Sequence, residues 1–252
     1  LGFGAWDLGF RNPRPGDTLT AMGAPHPHHG WLRSRFFGPL ALASLLGLAL
    51  FAGWDAATAR PWNGPRLHLN LTLAWVPYVC ALWAVAVHQR ARHARLRLWL
   101  LGLCWLAFFP NAPYLITDWL YLPGWTAELW YSIVLLTTFS MCGVLLSVVS
   151  LYLMHELVRV RRGAVEGWCV AGTAILLGGL GVYLGRFLRL NSWQLVTAPG
   201  QVWRDVTTLL HEHAEHPSPV GFTIVFDVLL LVFYLVFRAI RLAPRSREES
   251  AA

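Results

Sequence analysis

The sequence predicts an all-α membrane protein with six transmembrane helices. Hydrophobic residues make up 56% of the 252 residues and charged residues only 13%, whereas charged residues form roughly a quarter of a soluble domain. Several apolar runs approach the length of about 20 residues that a helix needs to cross a bilayer. All 20 basic residues are arginines, and they lie between these runs. This arrangement is typical of the flanks of membrane spans and argues against nucleic-acid binding.

The predicted spans follow one another with short connections. Five runs have about the length of a span, and they cover Phe36–Trp54, Leu69–Val87, Trp130–Leu153, Gly167–Leu188 and Gly221–Phe237. The third span in chain order is the exception, because Leu98–Phe109 has only 12 residues before Pro110. It covers about 18 Å of a hydrocarbon core about 30 Å thick. It crosses only if the chain continues through the proline-rich stretch that follows.

The arginines predict the orientation, because short cytoplasmic loops carry the excess of Arg and Lys. With six spans, one side of the membrane holds 15 arginines. The other side holds five, which are Arg60, Arg66, Arg186, Arg189 and Arg204. If the short third run did not cross the membrane, the later arginine-rich loops would lie on the outer side and this asymmetry would be lost. Both termini are therefore predicted to be cytoplasmic.

Residues 36–241 are predicted to form one six-helix transmembrane domain, because no apolar stretch remains for a soluble domain. Residues 1–35 and 242–252 are expected to be disordered tails. Residues 1–21 fit nothing downstream, and Met22 offers an alternative start. This leading segment is interpreted as disordered or as an artefact of gene calling.

The third run ends in an unusual stretch, FFPNAPYLITDW at Phe108–Trp119. Because proline lacks an N–H, its two prolines disrupt the helix about 18–20 Å above the cytoplasmic start. Irregular backbone at this depth must be buried in protein or line a cavity. We therefore predict an outward-opening polar pocket lined by Asn111 and Tyr114, with Thr117 and Asp118 near its rim. The alternative is a plain kink in which Asn111 caps the following turn.

Other polar residues are predicted to lie at the same outer level. Asn70 begins the second span. Arg186 and Arg189 share a face near the outer end of the fifth span, because they are three residues apart. Asn191 and Trp193 follow them. These side chains are candidates for binding a ligand, and arginine is the better bidentate donor to phosphate or carboxylate.

Asp227 lies about two turns, or about 9 Å, below the outer end of the sixth span. An aspartate at that depth is costly unless it faces a partner or water. Arg186 or Arg189 is the expected partner, because the fifth and sixth spans are consecutive and antiparallel. The pair is interpreted either as a structural ion pair or as part of the ligand site, so Asp227 is also a ligand-binding candidate.

No metal site is predicted. The HEHAEH stretch at His211–His216 lacks the HExxH spacing, and an acidic, His-rich loop is more often simply solvated. The four cysteines each lie in a different apolar run and are interpreted as small packing residues. Close helix packing is favoured on one nearly bare side of the fifth helix, which carries Gly178, Gly179, Gly181 and Gly185.

Four stretches carry a family resemblance: NLTLAWVPY, FFPNAPYLITDW, LWYSIVLLTTFSMCGVLLSVVSLYL and GVYLGRFLRLNSW. Between about Asn70 and Trp193 the chain resembles the bacterial membrane-protein family catalogued as domain of unknown function 1361. The resemblance implies a multi-pass protein of the bacterial plasma membrane. It implies no activity, because that of the family is unassigned. Ser132 and Gln194 stand where the family tends to carry an acid, which weakens any role for a carboxylate there.

Three classes of function stay open. A binding or scaffold protein would hold an anionic small molecule or lipid headgroup in the outward pocket. A small-solute transporter subunit would use the broken helix and the intramembrane Asp227. A membrane enzyme acting on a lipid-linked substrate would use Asp118 or Glu128 as general base, with the arginines stabilising charge.

The partners expected from these interpretations are the lipid bilayer and the anionic ligand or lipid headgroup, and no nucleic acid. A homo-oligomer stays open. The cofactor is unknown, because no motif in the sequence names one.

Overall fold

The computed structural model describes residues 28–58, 62, 64, 66–90, 94–122, 129–187, 200, 204 and 219–242, with the backbone alone at 28–35 and 55. Within these ranges all regular structure is helical, as the sequence predicts. In chain order the elements are α1 His28–Ala52, α2 Trp54–Thr58, α3 Leu67–Arg90, α4 Arg95–Phe108, α5 Asn111–Tyr114, a 3₁₀ helix Leu115–Tyr121, α6 Leu129–Arg162, α7 Ala164–Phe187 and α8 Pro219–Leu242.

Helix α1 begins at His28, so residues 28–35 are helical although the sequence predicted a disordered tail there. No proline lies between His28 and Gly38, so nothing prevents the helix from extending backwards from the apolar run. Leu242, the first residue of the predicted C-terminal tail, is the last residue of α8. The other residues of the two predicted tails, 1–27 and 243–252, lie outside the described residues. Their disorder stays a prediction.

Five of the described helical segments are long and apolar enough to cross a membrane, and they are Leu67–Arg90, Arg95–Tyr121, Leu129–Arg162, Ala164–Phe187 and Pro219–Leu242. A shorter apolar helix, Phe36–Ala52, lies within α1. These helices expose large apolar side chains such as Leu42, Trp83 and Val225. Extensive apolar surface of this kind is solvated by lipid rather than by water. The chain is therefore an all-helical, multi-pass membrane protein.

The third span continues through its prolines. α4 ends at Phe108, α5 begins at Asn111, and the 3₁₀ helix extends to Tyr121, which makes a segment of 27 residues. Phe109 and Pro110 keep right-handed helical backbone angles. The predicted break is thus a change of hydrogen-bond pattern within a helical path, and the chain does not unwind there.

Helix α6 is the centre of the bundle and packs against α1, α3, α5, α7 and the 3₁₀ helix. Of its most apolar 18-residue window, 67% is buried, compared with 22% for α8. Two of its buried serines are satisfied within the helix: Ser147 donates to the Val144 carbonyl and Ser150 to that of Ser147. Such small polar residues let neighbouring helices approach α6 closely without leaving a hydrogen-bonding group unpaired.

The bare side of α7 is used for close packing, as predicted. A Cβ atom added to Gly178 would lie 3.0 Å from the Phe109 ring, and one added to Gly181 would overlap Pro110. The proline kink of the third span therefore lies directly against α7 at positions where that helix has no side chain.

Candidate functional site

The site begins at the proline kink, where Asn111 replaces a lost backbone donor. The Ala112 N–H turns to the Phe109 carbonyl, at 3.2 Å, in the tighter 3₁₀ pattern. The Phe108 carbonyl is then left without the N–H four residues on, and the Asn111 side-chain amide donates to it instead, at 3.0 Å. This contact ties Asn111 to the preceding turn, whereas the alternative interpretation had it cap the following one. It serves the helix and does not by itself indicate a ligand.

An ion pair between Asp118 and Arg186 forms the centre of the site. Arg186 Nη2 donates to Asp118 Oδ1 at 2.7 Å, and the two side chains are only 5% and 0% exposed. Asn70 Nδ2 donates to the second carboxylate oxygen at 3.4 Å. The pair therefore joins the third span to α7, with α3 supplying a further donor.

The guanidinium group of Arg186 is held in place by its other neighbours. Its Nε donates to Thr117 Oγ1 at 2.9 Å, and that hydroxyl donates to the Tyr114 carbonyl at 2.6 Å. The guanidinium carbon lies 4.7 Å from the Tyr114 ring centroid and 5.1 Å from that of Tyr121. Cation–π contacts with two rings favour the charged side chain in this buried position. We call Asn70, Tyr114, Thr117, Asp118, Tyr121 and Arg186 the Asp118–Arg186 cluster.

Asp227 does not pair with Arg186, which was one of its two expected partners. The other expected partner, Arg189, lies outside the described residues. The Asp227 carboxylate accepts a hydrogen bond from the Gly179 backbone N–H at 3.1 Å. Gly179 lies seven residues before Arg186, or about 10 Å along the helix, so the two carboxylates meet α7 at different levels. A side chain at Gly179 would overlap the Asp227 carboxylate. The absence of a side chain at Gly179 thus allows Asp227 to accept a hydrogen bond from the backbone, and Arg186 pairs with Asp118 instead.

The predicted site residues therefore divide into three groups. Asn70, Tyr114, Asp118 and Arg186 come together in the cluster, whereas Asn111 and Asp227 bond to backbone groups of neighbouring helical segments. The third group lies outside the described residues and consists of Arg189, Asn191 and Trp193. Tyr121 was not singled out in the sequence, although it lies three residues after Asp118.

The cluster can hold an anion beside a fixed cation. Within the described part of the chain, the hydrogen bonds of the Arg186 guanidinium use Nε and Nη2, and none uses Nη1. Arginine presents five N–H donors in a planar fork, so the two N–H groups of Nη1 remain for an oxygen ligand. The Asp118 carboxylate balances the charge of Arg186. The cluster therefore has a net charge near zero, and a second cationic group is needed to make it positive.

A second buried polar group, not predicted from the sequence, lies near the opposite, arginine-rich ends of the helices. His155 is fully buried on α6, and its Nδ1 lies 2.6 Å from the Tyr234 hydroxyl of α8. The Trp168 ring of α7 packs edge-on against the imidazole at 4.8 Å, and Arg238 lies 4.7 Å above that indole. The signal in the sequence was a histidine two residues after the apolar run of the fourth span and before the arginines that follow it.

Two of the cysteines, interpreted as separate packing residues, lie side by side. The sulfur atoms of Cys80 on α3 and Cys104 on α4 are 3.5 Å apart, and both thiols are free. Among the described residues, no three His, Cys, Asp or Glu side chains are grouped as a metal site would require. His211–His216 lies outside the described residues.

Comparison with known proteins identifies the family. A family model described as "Protein of unknown function (DUF1361)" matches residues 69–233. Neither the curated proteins nor the solved structures gave a match. The matched region contains nearly all of α3, the whole of α4 to α7 and most of α8, and it includes every residue of the Asp118–Arg186 cluster. Because the model covers well over half of the chain, the protein belongs to the family of unknown function DUF1361.

Proposed function

We propose that this chain is a six-span protein of the bacterial plasma membrane whose Asp118–Arg186 cluster faces outward and binds an anionic oxygen ligand. That ligand is the phosphate or carboxylate of a small molecule or of a lipid headgroup. The observation that carries the proposal is the Arg186 guanidinium, which is buried and oriented by Asp118, Thr117 and two tyrosine rings. A preoriented cation binds an anion without first losing side-chain entropy.

Six spans and cytoplasmic termini are supported by the length of α1 and by the arginines. The 25 residues of α1 extend about 37 Å, which exceeds the hydrocarbon thickness of about 30 Å. With α1 as the first span, the described helix ends that carry Arg90, Arg95, Arg161, Arg162 and Arg241 lie on one side. The positive-inside rule makes that side cytoplasmic. The Asp118–Arg186 cluster then lies near the outer surface.

The chemistry of the cluster favours an anion over a cation or a neutral ligand. Nε and Nη2 of Arg186 already donate to Thr117 and Asp118, so Nη1 is the nitrogen left to donate to a phosphate or carboxylate oxygen. Such charge-assisted hydrogen bonds are stronger than those to neutral acceptors. Arg189 follows three residues later in the sequence and would add a second positive charge. An anion held by both arginines would leave the group of four charges neutral.

The test compares two neutralised ion pairs in the purified full-length protein. In the Asp118→Asn/Arg186→Gln variant both charges of the site are removed together, so neither is left buried alone. The matched control is Glu156→Gln/Arg159→Gln, which neutralises the other ion pair of the described residues, at the arginine-rich end. Bound lipids are identified by native mass spectrometry, and thermal unfolding is measured with increasing inorganic phosphate or acetate.

We expect the wild type and the control to bind an anion, and the site variant to lose this binding. Loss of a specific retained lipid identifies a headgroup as the ligand, whereas loss of stabilisation by phosphate or acetate identifies a free anion. If the site variant and the control bind lipids and anions as the wild type does, the proposal is wrong.

A transporter is the second candidate, because the third span is interrupted beside a buried ion pair. Interrupted helices next to buried charges are common at transporter binding sites. A solute-dependent flux in proteoliposomes that the site variant abolishes would support transport. An enzyme has less support, because a general base must be within reach of its substrate and Asp118 is fully buried in its ion pair. Glu128, the other candidate base, lies outside the described residues.

A further inference from the structure

A second candidate site is a groove at the arginine-rich end of the bundle, remote from the Asp118–Arg186 cluster. The groove has a volume of about 730 Å³ and lies between α4, α6 and α7. Apolar side chains such as Leu98, Leu103 and Leu106 line its length. The three arginines that line it, Arg95, Arg161 and Arg162, are at the beginning of α4 and the end of α6. The groove is thus basic at one end and apolar along the rest.

The length of the groove corresponds to one leaflet of a bilayer. It extends along α4 from Arg95 to Leu106, which is about 16 Å of helix. Half of a hydrocarbon core about 30 Å thick is about 15 Å. An acyl chain that entered between the arginines would therefore reach the middle of the membrane. A small soluble anion would occupy only the basic end and would leave the apolar part unfilled.

The positive charge at one end of the groove favours an anionic headgroup. No acidic residue is among the described residues that line it, so the three arginines make this surface positive. The Arg162 guanidinium lies 5.5 Å from the centroid of the Trp99 ring, which positions it at the rim. Arginine clusters at the cytoplasmic boundary attract anionic headgroups, and a guanidinium fork matches the oxygens of a phosphodiester.

The wall of the groove contains a buried donor that lacks a partner. Trp105 lines the groove and is only 1% exposed. Its indole Nε1–H makes no hydrogen bond to any residue in the described part of the chain. That nitrogen has almost no accessible surface, although the residue lines the groove. It therefore faces the packed helices rather than the groove, and the proposal rests on the shape and charge of the groove alone.

We propose that the groove binds one anionic phospholipid, with its phosphate between Arg95, Arg161 and Arg162 and one acyl chain against α4. This lipid site is distinct from the ligand site proposed above. It lies at the opposite end of the bundle, and its variants leave Asp118 and Arg186 unchanged. The two proposals can therefore fail separately.

The headgroup is tested with two matched pairs of substitutions. Arg95→Gln/Arg162→Gln removes two charges from the groove, and Arg90→Gln/Arg97→Gln removes two exposed charges at the same end of the bundle that do not line it. Retention of phosphatidylglycerol and of phosphatidylcholine is measured by native mass spectrometry after reconstitution with an equal mixture of the two. We expect the groove variant to lose its preference for phosphatidylglycerol by about 5- to 30-fold, given the usual contribution of an arginine near a charged surface. The control is expected to keep that preference.

The acyl chain is tested by filling the groove. A Cβ atom at Gly102, which lines the groove, has no neighbour closer than 3.9 Å, so Gly102→Phe can project into the free volume. Gly172→Phe is the matched control, because a Cβ atom at that exposed position of α7 meets nothing within 4 Å. We expect Gly102→Phe to reduce retention of both lipids, and Gly172→Phe to leave it unchanged.

Three results would overturn the proposal. One is a wild type that retains neither lipid, and another is a loss of preference that is equal in the groove variant and its arginine control. The third is a change of oligomeric state in the groove variants without a change in lipid retention. That last result would make the groove a contact between copies of the chain.

Discussion

At the scale of single residues, the site depends on which acid meets Arg186. Asp118 meets it because the 3₁₀ turn after Tyr114 brings Thr117 and Asp118 together onto the guanidinium. A fully buried ion pair contributes little net stability, because desolvation offsets most of the attraction. Losing only one of the two charges is much more harmful, because the other charge stays buried. The pair therefore positions its residues more than it stabilises the fold.

Asp118→Asn alone is expected to lower the free energy of unfolding by about 3–5 kcal/mol, because it leaves the Arg186 charge buried without its carboxylate. Adding Arg186→Gln should recover part of this loss. Reversible unfolding in mixed detergent micelles measures both variants. Asp227→Asn serves as the control and should show no coupling to Arg186→Gln. Additive effects at Asp118, or strong coupling at Asp227, would contradict the observed pairing.

At the scale of elements, the kinked third span is held by α6 on one side and by α7 on the other. Trp119 Nε1 donates to Ser140 Oγ of α6 at 3.1 Å, and that hydroxyl donates to the Leu115 carbonyl at 3.1 Å. These bonds supply partners to the irregular 3₁₀ backbone, as membrane burial requires. The glycines of α6 and α7 allow the close approach, since a Cβ atom at Gly143 would overlap the Ala112 carbonyl.

Gly143→Ala is therefore expected to lower the free energy of unfolding by about 1–3 kcal/mol, because the added methyl group meets backbone that cannot rotate away. The same change at Gly172 adds a methyl group where nothing lies within 4 Å. It should be neutral or stabilising by up to about 1 kcal/mol. Unfolding of the two variants under identical detergent conditions makes the comparison. Equal effects at the two positions would show that α5 does not pack on α6 as described.

At the scale of the whole molecule, two polar regions lie at opposite ends of one helical bundle. The Asp118–Arg186 cluster joins α3, the third span and α7 at one end. The groove proposed to bind a lipid lies between α4, α6 and α7 at the other end of the bundle. Helix α7 contributes to both, with Thr173 in the groove and Arg186 in the cluster. If the chain has six spans and cytoplasmic termini, the cluster faces outward and the groove faces the cytoplasm.

The orientation is tested by labelling single cysteines in a background without Cys80, Cys104, Cys142 and Cys169. With six spans, Ala59→Cys lies in an outer loop and His93→Cys in a cytoplasmic loop. A membrane-impermeant maleimide added to intact cells should react at position 59 and should reach position 93 only after the membrane is permeabilised. Equal labelling of both positions in intact cells would rule out the six-span arrangement.

The class of the molecule, and every residue of the Asp118–Arg186 cluster except Tyr121, could be predicted from the sequence. Apolar length and arginine distribution predicted a helical membrane protein, and chain position predicted that Asn70, Tyr114, Asp118 and Arg186 lie near one end. These features depend only on residue type and on the rise of about 1.5 Å per residue. They therefore need no knowledge of how the helices are rotated.

Which of these residues are in contact could not be predicted from the sequence. The position of a residue along the chain gives its depth, but a contact between helices also needs the rotation of each helix about its axis. The 3₁₀ turn changes that rotation for Asp118, and the absence of a side chain at Gly179 brings Asp227 onto the backbone. For this reason Asp118 rather than Asp227 pairs with Arg186. The groove depends on tertiary structure in the same way, because its walls come from three helices that no local pattern brings together.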